Sequence, residues 1–208
     1  MCSVALPDES KFLSVADYSF TSDFNYIANF LDRDRGFWLL EHLHHELDWQ
    51  QQEIRLFGRK MLQPRLSCWY GDREAHYSYS GLQLRPLPWH PALLELRDLL
   101  QESLQFPFNS VLANAYRDGC DSMGWHADDE KELGPEPVIA SLSLGSCRRF
   151  SLRSQVDRKT SSMLLGHGSL LLMRGKSQRN YNHSIPKTTR AVGLRINLTF
   201  RQVLHPER

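Results

Sequence analysis

Arg195-Ile196-Asn197-Leu198-Thr199-Phe200-Arg201 alternates without a break: Ile196, Leu198 and Phe200 fall on one side, Arg195, Asn197, Thr199 and Arg201 on the other. Side chains of a strand point to opposite faces with a period of two, so this is a strand with one apolar face and one face rich in hydrogen-bond donors. Two readings of the polar face compete. It is the solvated side of an edge strand, or it is an interior wall that receives a polar ligand. At ~3.3 Å rise per residue the two arginines stand roughly 20 Å apart. Two arms leaning inward across that span close around a short diacid, because guanidinium groups hold carboxylates through paired, charge-assisted hydrogen bonds.

Working back from this strand, the sequence predicts serial short strands at about 110–116, 137–144, 148–153, 162–165, 169–173 and 180–183, the last strand lying within 190–202. Many short strands separated by turn signals indicate a sandwich or jelly roll. Two helices precede them. Phe37, Leu40, Leu43 and Leu47 recur at helical spacing from Asp34 to about Gln50, with Asp32 or Asp34 as N-cap. Pro91 opens a second helix whose stripe is Leu93, Leu96, Leu100 and Leu104. Residues 54–84 read as short strands and turns, and residues 1–31 as an irregular leader with at most a short strand. One compact domain is expected, in three parts: a leader and helix (1–53), a segment of hairpins and a supporting helix (54–105), and the strand-rich core (106–208).

With 208 residues, 41% apolar and 24% charged, the composition is that of an ordinary globular domain. No apolar run approaches the roughly 20 residues that span a bilayer, and the first residues lack the basic and apolar regions of a signal peptide. A monomer without membrane contact, not secreted, is the expectation. Cys2, Cys68, Cys120 and Cys147 form no C-x-x-C pair, which argues against a zinc ribbon and for reduced thiols in a cytosolic or nuclear compartment. The net charge of +1 conceals an asymmetry: residues 1–143 carry 12 basic and 22 acidic side chains, residues 144–208 carry 13 and 2. Arg148, Arg149, Arg153, Arg158, Lys159, Arg174, Lys176, Arg179, Lys187 and Arg190 are candidate phosphate contacts. The alternative is that the two halves neutralise each other.

His126 and Asp128 stand two residues apart, and His183 follows 57 residues after His126. In an extended segment His126 and Asp128 project from the same side, and two imidazoles with one carboxylate are the donor set of a non-haem Fe(II) site. His42, His44 and His45 cluster on the first helix, but no acid or cysteine completes a ligand set there; a partly solvated polar face is expected.

Three motifs then converge. They are Asn114-x-Tyr116-x-x-Gly119-x-Asp121-x-x-Gly124-x-His126-x-Asp128-Asp129-Glu130, His183-Ser-x-Pro186, and Arg195-x-Asn-Leu-Thr-Phe-Arg201. Together they resemble the AlkB family of Fe(II)/2-oxoglutarate dioxygenases, in its nucleic-acid repair branch, over about residues 54–203. The resemblance implies an α+β, mainly β, double-stranded β-helix core with flanking helices and a nucleotide-recognition lid. It implies iron held by His126, Asp128 and His183, and 2-oxoglutarate held by Asn114, Tyr116, Arg195 and the polar side of the last strand, Asn197, Thr199 and Arg201. It also implies oxidative demethylation of N-alkylated bases such as 1-methyladenine and 3-methylcytosine in single- or double-stranded DNA, with O2 consumed and succinate, CO2 and formaldehyde released. Tyr77-Ser-Tyr79-Ser-Gly81 resembles the lid. Tyr79, with Trp69 second, is the candidate to stack on a cationic base, and Asp129 the acid that contacts it. Leu56-Phe57-Gly58-Arg59 resembles a hairpin whose aromatic, Phe57, fills the gap left by an extruded base. The competing readings are the same chemistry on RNA or protein, a zinc hydrolase, and a non-catalytic nucleic-acid-binding module.

Overall fold

The computed structural model describes residues 18–56, 59–75, 77–79 and 82–204. In chain order its strands are β1 (Tyr18–Thr21), β2 (Phe24–Ile27), β3 (Glu53–Leu56), β4 (Arg59–Leu62), β5 (Leu66–Gly71), β6 (Tyr77–Tyr79), β7 (Leu82–Leu84), β8 (Ser110–Tyr116), β9 (Met123–His126), β10 (Ile139–Gly145), β11 (Arg148–Ser154), β12 (Thr160–Leu165), β13 (Ser169–Met173), β14 (Tyr181–Ile185) and β15 (Arg195–Arg201). The helices are α1 (Arg33–Glu46), α2 (Pro91–Leu104) and the short α3 (Ser177–Asn180).

Seven strands form a major sheet in the order β1-β2-β13-β10-β15-β8-β5, and four form a minor sheet in the order β12-β11-β14-β9. The strand pairings are antiparallel. The result is a jelly roll. Strand β15 lies near the middle of the major sheet between β10 and β8, which removes the edge-strand reading of its polar face. Ile196, Leu198 and Phe200 join Leu142, Leu144, Val111 and Ala113 in a core completed by α1 and α2. The opposite face of the sheet meets the minor sheet across Tyr116, Ile139, Phe150, Leu152, Leu171 and Ile185. Arg195, Asn197 and Thr199, all buried, therefore point between two sheets and not into solvent.

The flanking helices follow the sequence with two differences. Asp32 caps α1, its Oδ1 accepting from the backbone N–H of Asp34 at 3.0 Å and of Arg35 at 3.2 Å. The helix stops at Glu46, short of the expected Gln50, because Leu47 is extended and the Trp49 indole N–H takes up the carbonyls of Leu43 and His44, each at 3.2 Å. The buried stripe is Leu39, Leu40 and Leu43, while Phe37 is 43% exposed and stacks on His167 at 4.1 Å between ring centroids. Gly36 makes this approach possible, since a Cβ there would lie 2.6 Å from the His167 ring. In α2 Pro91 opens the helix as expected, and Leu93, Leu96 and Leu100 are fully buried. Residues 18–27 depart from the expected irregular leader: β1 and β2 make a hairpin that extends the major sheet beyond β13. Of the α1 histidines, His42 is stacked on Trp38 at 4.6 Å, and His44 and His45 are exposed.

Candidate active site

Edge strand β9 pairs with β14 so that His126 and His183 are direct cross-strand partners, yet Met123 opposes Ile185. Three steps on β9 thus match two on β14. That is a β-bulge, which re-aims side chains locally. It turns both Met123 and His126 into the space between the sheets. Strand β9 ends at His126, so Asp128 does not reach the site through strand alternation as the sequence suggested. It stands in the following loop, where the Gln178 side-chain oxygen accepts its backbone N–H at 2.9 Å.

One ligand atom each from His126, Asp128 and His183 lie within 4.8 Å of one another. His126 Nδ1 is 2.9 Å from the Gly124 carbonyl; a carbonyl only accepts, so Nδ1 carries the proton and the Nε2 lone pair is left for a cation. His183 is buried between Phe150 and the His126 ring, at centroid distances of 5.3 and 4.2 Å. Burial, reinforced by His126, lowers its pKa to about 3, so it is a neutral donor at physiological pH. Burial alone would push the Asp128 carboxyl up, but Arg201 and the two imidazoles outweigh it and hold it below its ordinary value. Arg201 Nη2 donates to Asp128 Oδ1 at 2.7 Å. This arginine thus braces a triad ligand and also lines the cavity in which the sequence reading gave it to a diacid.

The triad opens on a cavity of about 140 Å³ that also receives Asn114, Tyr116, Arg195, Asn197, Thr199 and Arg65. Arg195 is fully buried. Its Nη2 donates to Ser143 Oγ at 2.9 Å, and its guanidinium lies 5.2 Å from the centre of the Tyr116 ring. Nε and Nη1 have no hydrogen-bond partner among the described residues, and burial lowers the Arg195 pKa. A buried guanidinium with two open N–H groups is costly unless an anion meets it. A second buried arginine, Arg65, donates to Asn114 Oδ1 at 2.7 Å. Three arginines, Arg65, Arg195 and Arg201, thus face two carboxylates, Asp128 and Glu130, in the cavity lining, and a small dicarboxylate beside a divalent cation fits the donor set. Asn197 contributes differently from expectation: its Nδ2 is spent on Ser141 Oγ at 2.9 Å and the Leu142 carbonyl at 3.0 Å. It positions the wall and offers only its oxygen.

The expected substrate contacts are distributed unevenly. Asp129 is exposed beside the triad. Trp69 lines a separate cleft with Leu133 and Val203, divided from the triad cavity by Glu130 and Arg201. Tyr77 and Tyr79 stand on the hairpin β6-β7, and Arg59 begins β4 opposite Leu56; Phe57 and Gly58 lie outside the described residues. Arg148 is not a surface contact. It is 2% exposed and donates to the carbonyls of Asp118, Asp121 and Pro186 at 2.8–2.9 Å.

Sequence reasoning missed Gln178 and Arg65 and misplaced Arg148, because their roles depend on long-range burial. Replacing Gln178 by leucine is expected to weaken metal binding about tenfold, since it frees the backbone that aims Asp128; titration of Mn(II) binding checks this. Asp121, which accepts from the Arg117 backbone and guanidinium at 2.8–2.9 Å, closes the connection leading into β9. Burial would raise its pKa, but those hydrogen bonds and nearby Arg148 hold it low. A depressed carboxylate contributes stability above its ordinary pKa and loses it as pH falls. Asp121→Asn is therefore expected to cost about 1–3 kcal/mol at pH 7. The gap should close as pH is taken below about 4, read as the difference in Tm.

A jelly roll that presents two histidines and a carboxylate to an interior cavity defines, by fold and donor set, a non-haem iron oxygenase. Residues 23–201 match the 2OG-Fe(II) oxygenase superfamily. Human alkB homolog 3, an alpha-ketoglutarate-dependent dioxygenase, is 39% identical over 84% of this chain and 64% of its own length. The DNA oxidative demethylase ALKBH2 of Arabidopsis thaliana is 38% identical over 90% of this chain and 68% of its own, and that of Mus musculus 41% over 73% and 67%. The chain thus spans less than two thirds of the human relative's length. The solved structure of OsALKBH1 shares the fold, with a TM-score of 0.66 at 18% identity over 89% of this chain and all of that one. The chain belongs to the 2OG-Fe(II) oxygenase superfamily, in its AlkB family. Fe(II), 2-oxoglutarate and O2 are that family's requirements.

Proposed function

We propose that this chain is an oxidative demethylase that removes N-linked methyl groups from bases of DNA, converting 2-oxoglutarate and O2 to succinate and CO2 and releasing formaldehyde. The observation that carries the reading is the confrontation, in one cavity, of the His126–Asp128–His183 triad with the buried Arg195 guanidinium. A zinc hydrolase has no use for Arg195. The DNA substrate is supported by relatives named DNA oxidative demethylase at 38–41% identity.

Bound iron with its cosubstrate supplies the oxidising power for hydroxylating an N-methyl carbon. His126, Asp128 and His183 hold the ion, and Gly124 and Gln178 fix the orientation of two of them. Arg195 holds the distal carboxylate of 2-oxoglutarate, with Asn114 and Tyr116 beside it. Asp129 at the rim offers a carboxylate to a cationic base, and the β6-β7 hairpin supplies Tyr77 and Tyr79 as its lid. Unstacking a base costs a few kcal/mol, which gives Phe57 its use on duplex substrates.

The test incubates the chain with Fe(II), ascorbate and 2-oxoglutarate and with matched single-stranded DNA, duplex DNA and RNA oligonucleotides bearing 1-methyladenine or 3-methylcytosine. Mass spectrometry should show loss of the methyl group, with formaldehyde and succinate in equal amounts. Succinate formation without demethylation of any oligonucleotide would overturn the substrate while leaving the family chemistry in place. Preferential turnover of the RNA would move the substrate from DNA to RNA.

A further inference from the structure

The bulge that turns His126 inward also turns its neighbour outward. Trp125 directly precedes His126 on edge strand β9, is 39% exposed and belongs to none of the apolar clusters. It is held in place by a cation: the Arg153 guanidinium carbon, from β11, lies 4.1 Å from the ring centroid. Beside it, an added Cβ at Gly124 would meet nothing within 4 Å among the described residues. A large ring fixed by an arginine and presented to solvent one residue from a triad ligand is not explained by packing.

The surroundings identify the occupant. None of the four strands of the minor sheet contains an aspartate or glutamate. On β11, Phe150 and Leu152 face inward, so Arg149 and Arg153 share the outer face with Ser151. The β11–β12 turn adds exposed Arg158 and Lys159, and α3 adds exposed Arg179. The acid of that turn, Asp157, is already met by Lys159 at 3.1 Å. A predominantly cationic surface, its strands free of acids, with an exposed aromatic ring combines the two elements that bind single-stranded nucleic acid: charge along the backbone and a platform for an unpaired base.

We propose that Trp125 is a stacking platform for an unpaired base flanking the one delivered to the cavity, and so favours single-stranded over duplex nucleic acid. The inference rests on the nucleic-acid reading above. An unpaired base lies on the exposed part of the indole while Arg153 supports the ring and draws the neighbouring phosphate. In a duplex that base is already stacked on its neighbours, so the ring has less to offer.

The experiment measures binding of unmethylated ten-nucleotide single strands and of a ten-base-pair duplex to the full chain by fluorescence anisotropy, with Mn(II) in place of iron and without cosubstrate. For Trp125→Ala a loss of about tenfold in single-strand affinity is expected, with duplex affinity changed about twofold or less. Trp125→Phe should keep single-strand affinity within about twofold of the native chain, which separates stacking from misfolding. Saturating single strand should also quench part of the tryptophan emission, and that part should vanish in Trp125→Phe although binding persists. Equal single-strand affinity of the native and Trp125→Ala chains, or equal loss on single strand and duplex, would overturn the platform. Neither outcome touches the demethylase reading, which stands or falls on methyl loss from the modified oligonucleotides.

Discussion

Asp128→Ala is expected to abolish turnover and metal retention together, and to lower the stability of the metal-free chain by about 3–5 kcal/mol. The second effect follows from Arg201. Its guanidinium is bonded to Asp128 at 2.7 Å in a nearly buried pair, with side chains 12% and 5% exposed. Deleting the carboxylate removes the 2.7 Å acceptor of a largely buried cation. His183→Ala removes an imidazole that is neutral at physiological pH, so it is expected to abolish turnover at a smaller cost in stability. Metal content by mass spectrometry, formaldehyde release and denaturant unfolding read the three quantities separately. Full activity in either variant would end the assignment of the triad. Equal loss of stability in both would show that the Asp128–Arg201 pair has no special weight.

Arg195→Met is expected to raise the 2-oxoglutarate concentration needed for half-maximal turnover by about thirtyfold or more. Truncating one partner of a buried, hydrogen-bonded charge pair costs about 2–5 kcal/mol of binding. The unliganded protein should respond in the opposite sense. Arg195 is fully buried with two N–H groups unmatched among the described residues, and replacing such a charge by an apolar chain of similar length is neutral or stabilising. The variant should therefore keep or exceed the native Tm without ligands. It should also lose most of the Tm rise that 2-oxoglutarate with Mn(II) confers on the native chain. An unchanged 2-oxoglutarate requirement would make Arg195 a structural residue.

The last strand was the most legible element because it separates two environments that differ completely, a core under two helices and a polar cavity between sheets. Its period of two survives in the sequence for that reason. The metal donors were legible as residue types, but the geometry behind them was not: alternation places His126 and Asp128 together on paper, whereas a bulge and a hydrogen bond from the Asp128 backbone to the Gln178 side chain do so in the molecule. Gln178 lies 50 positions from Asp128, and no local pattern marks it. The same holds for Arg65 and Arg148, which look like surface cations until the fold buries them. The hairpin at residues 18–27 is built of four-residue strands, too short to show a period. The register of α1 shifted from Phe37 to Leu39 because Phe37 found an aromatic partner in His167 across the helix end.

The cross-strand pairing of His126 with His183 ties the mechanical fate of an edge to the ion. Among the described residues strand β9 has a neighbour on one side only and meets it through a bulged ladder, an arrangement in which local opening costs little. An ion gripped by one side chain from β9, one from β14 and one from the loop beyond β9 acts as a rivet through that margin. Its departure should fray the strand that carries both His126 and Trp125, while the far end of the cavity, walled by β8, β10 and β15 in the middle of the major sheet, keeps its shape. Metal starvation would then blunt capture of the nucleic acid before it disturbs the pocket for the small acid.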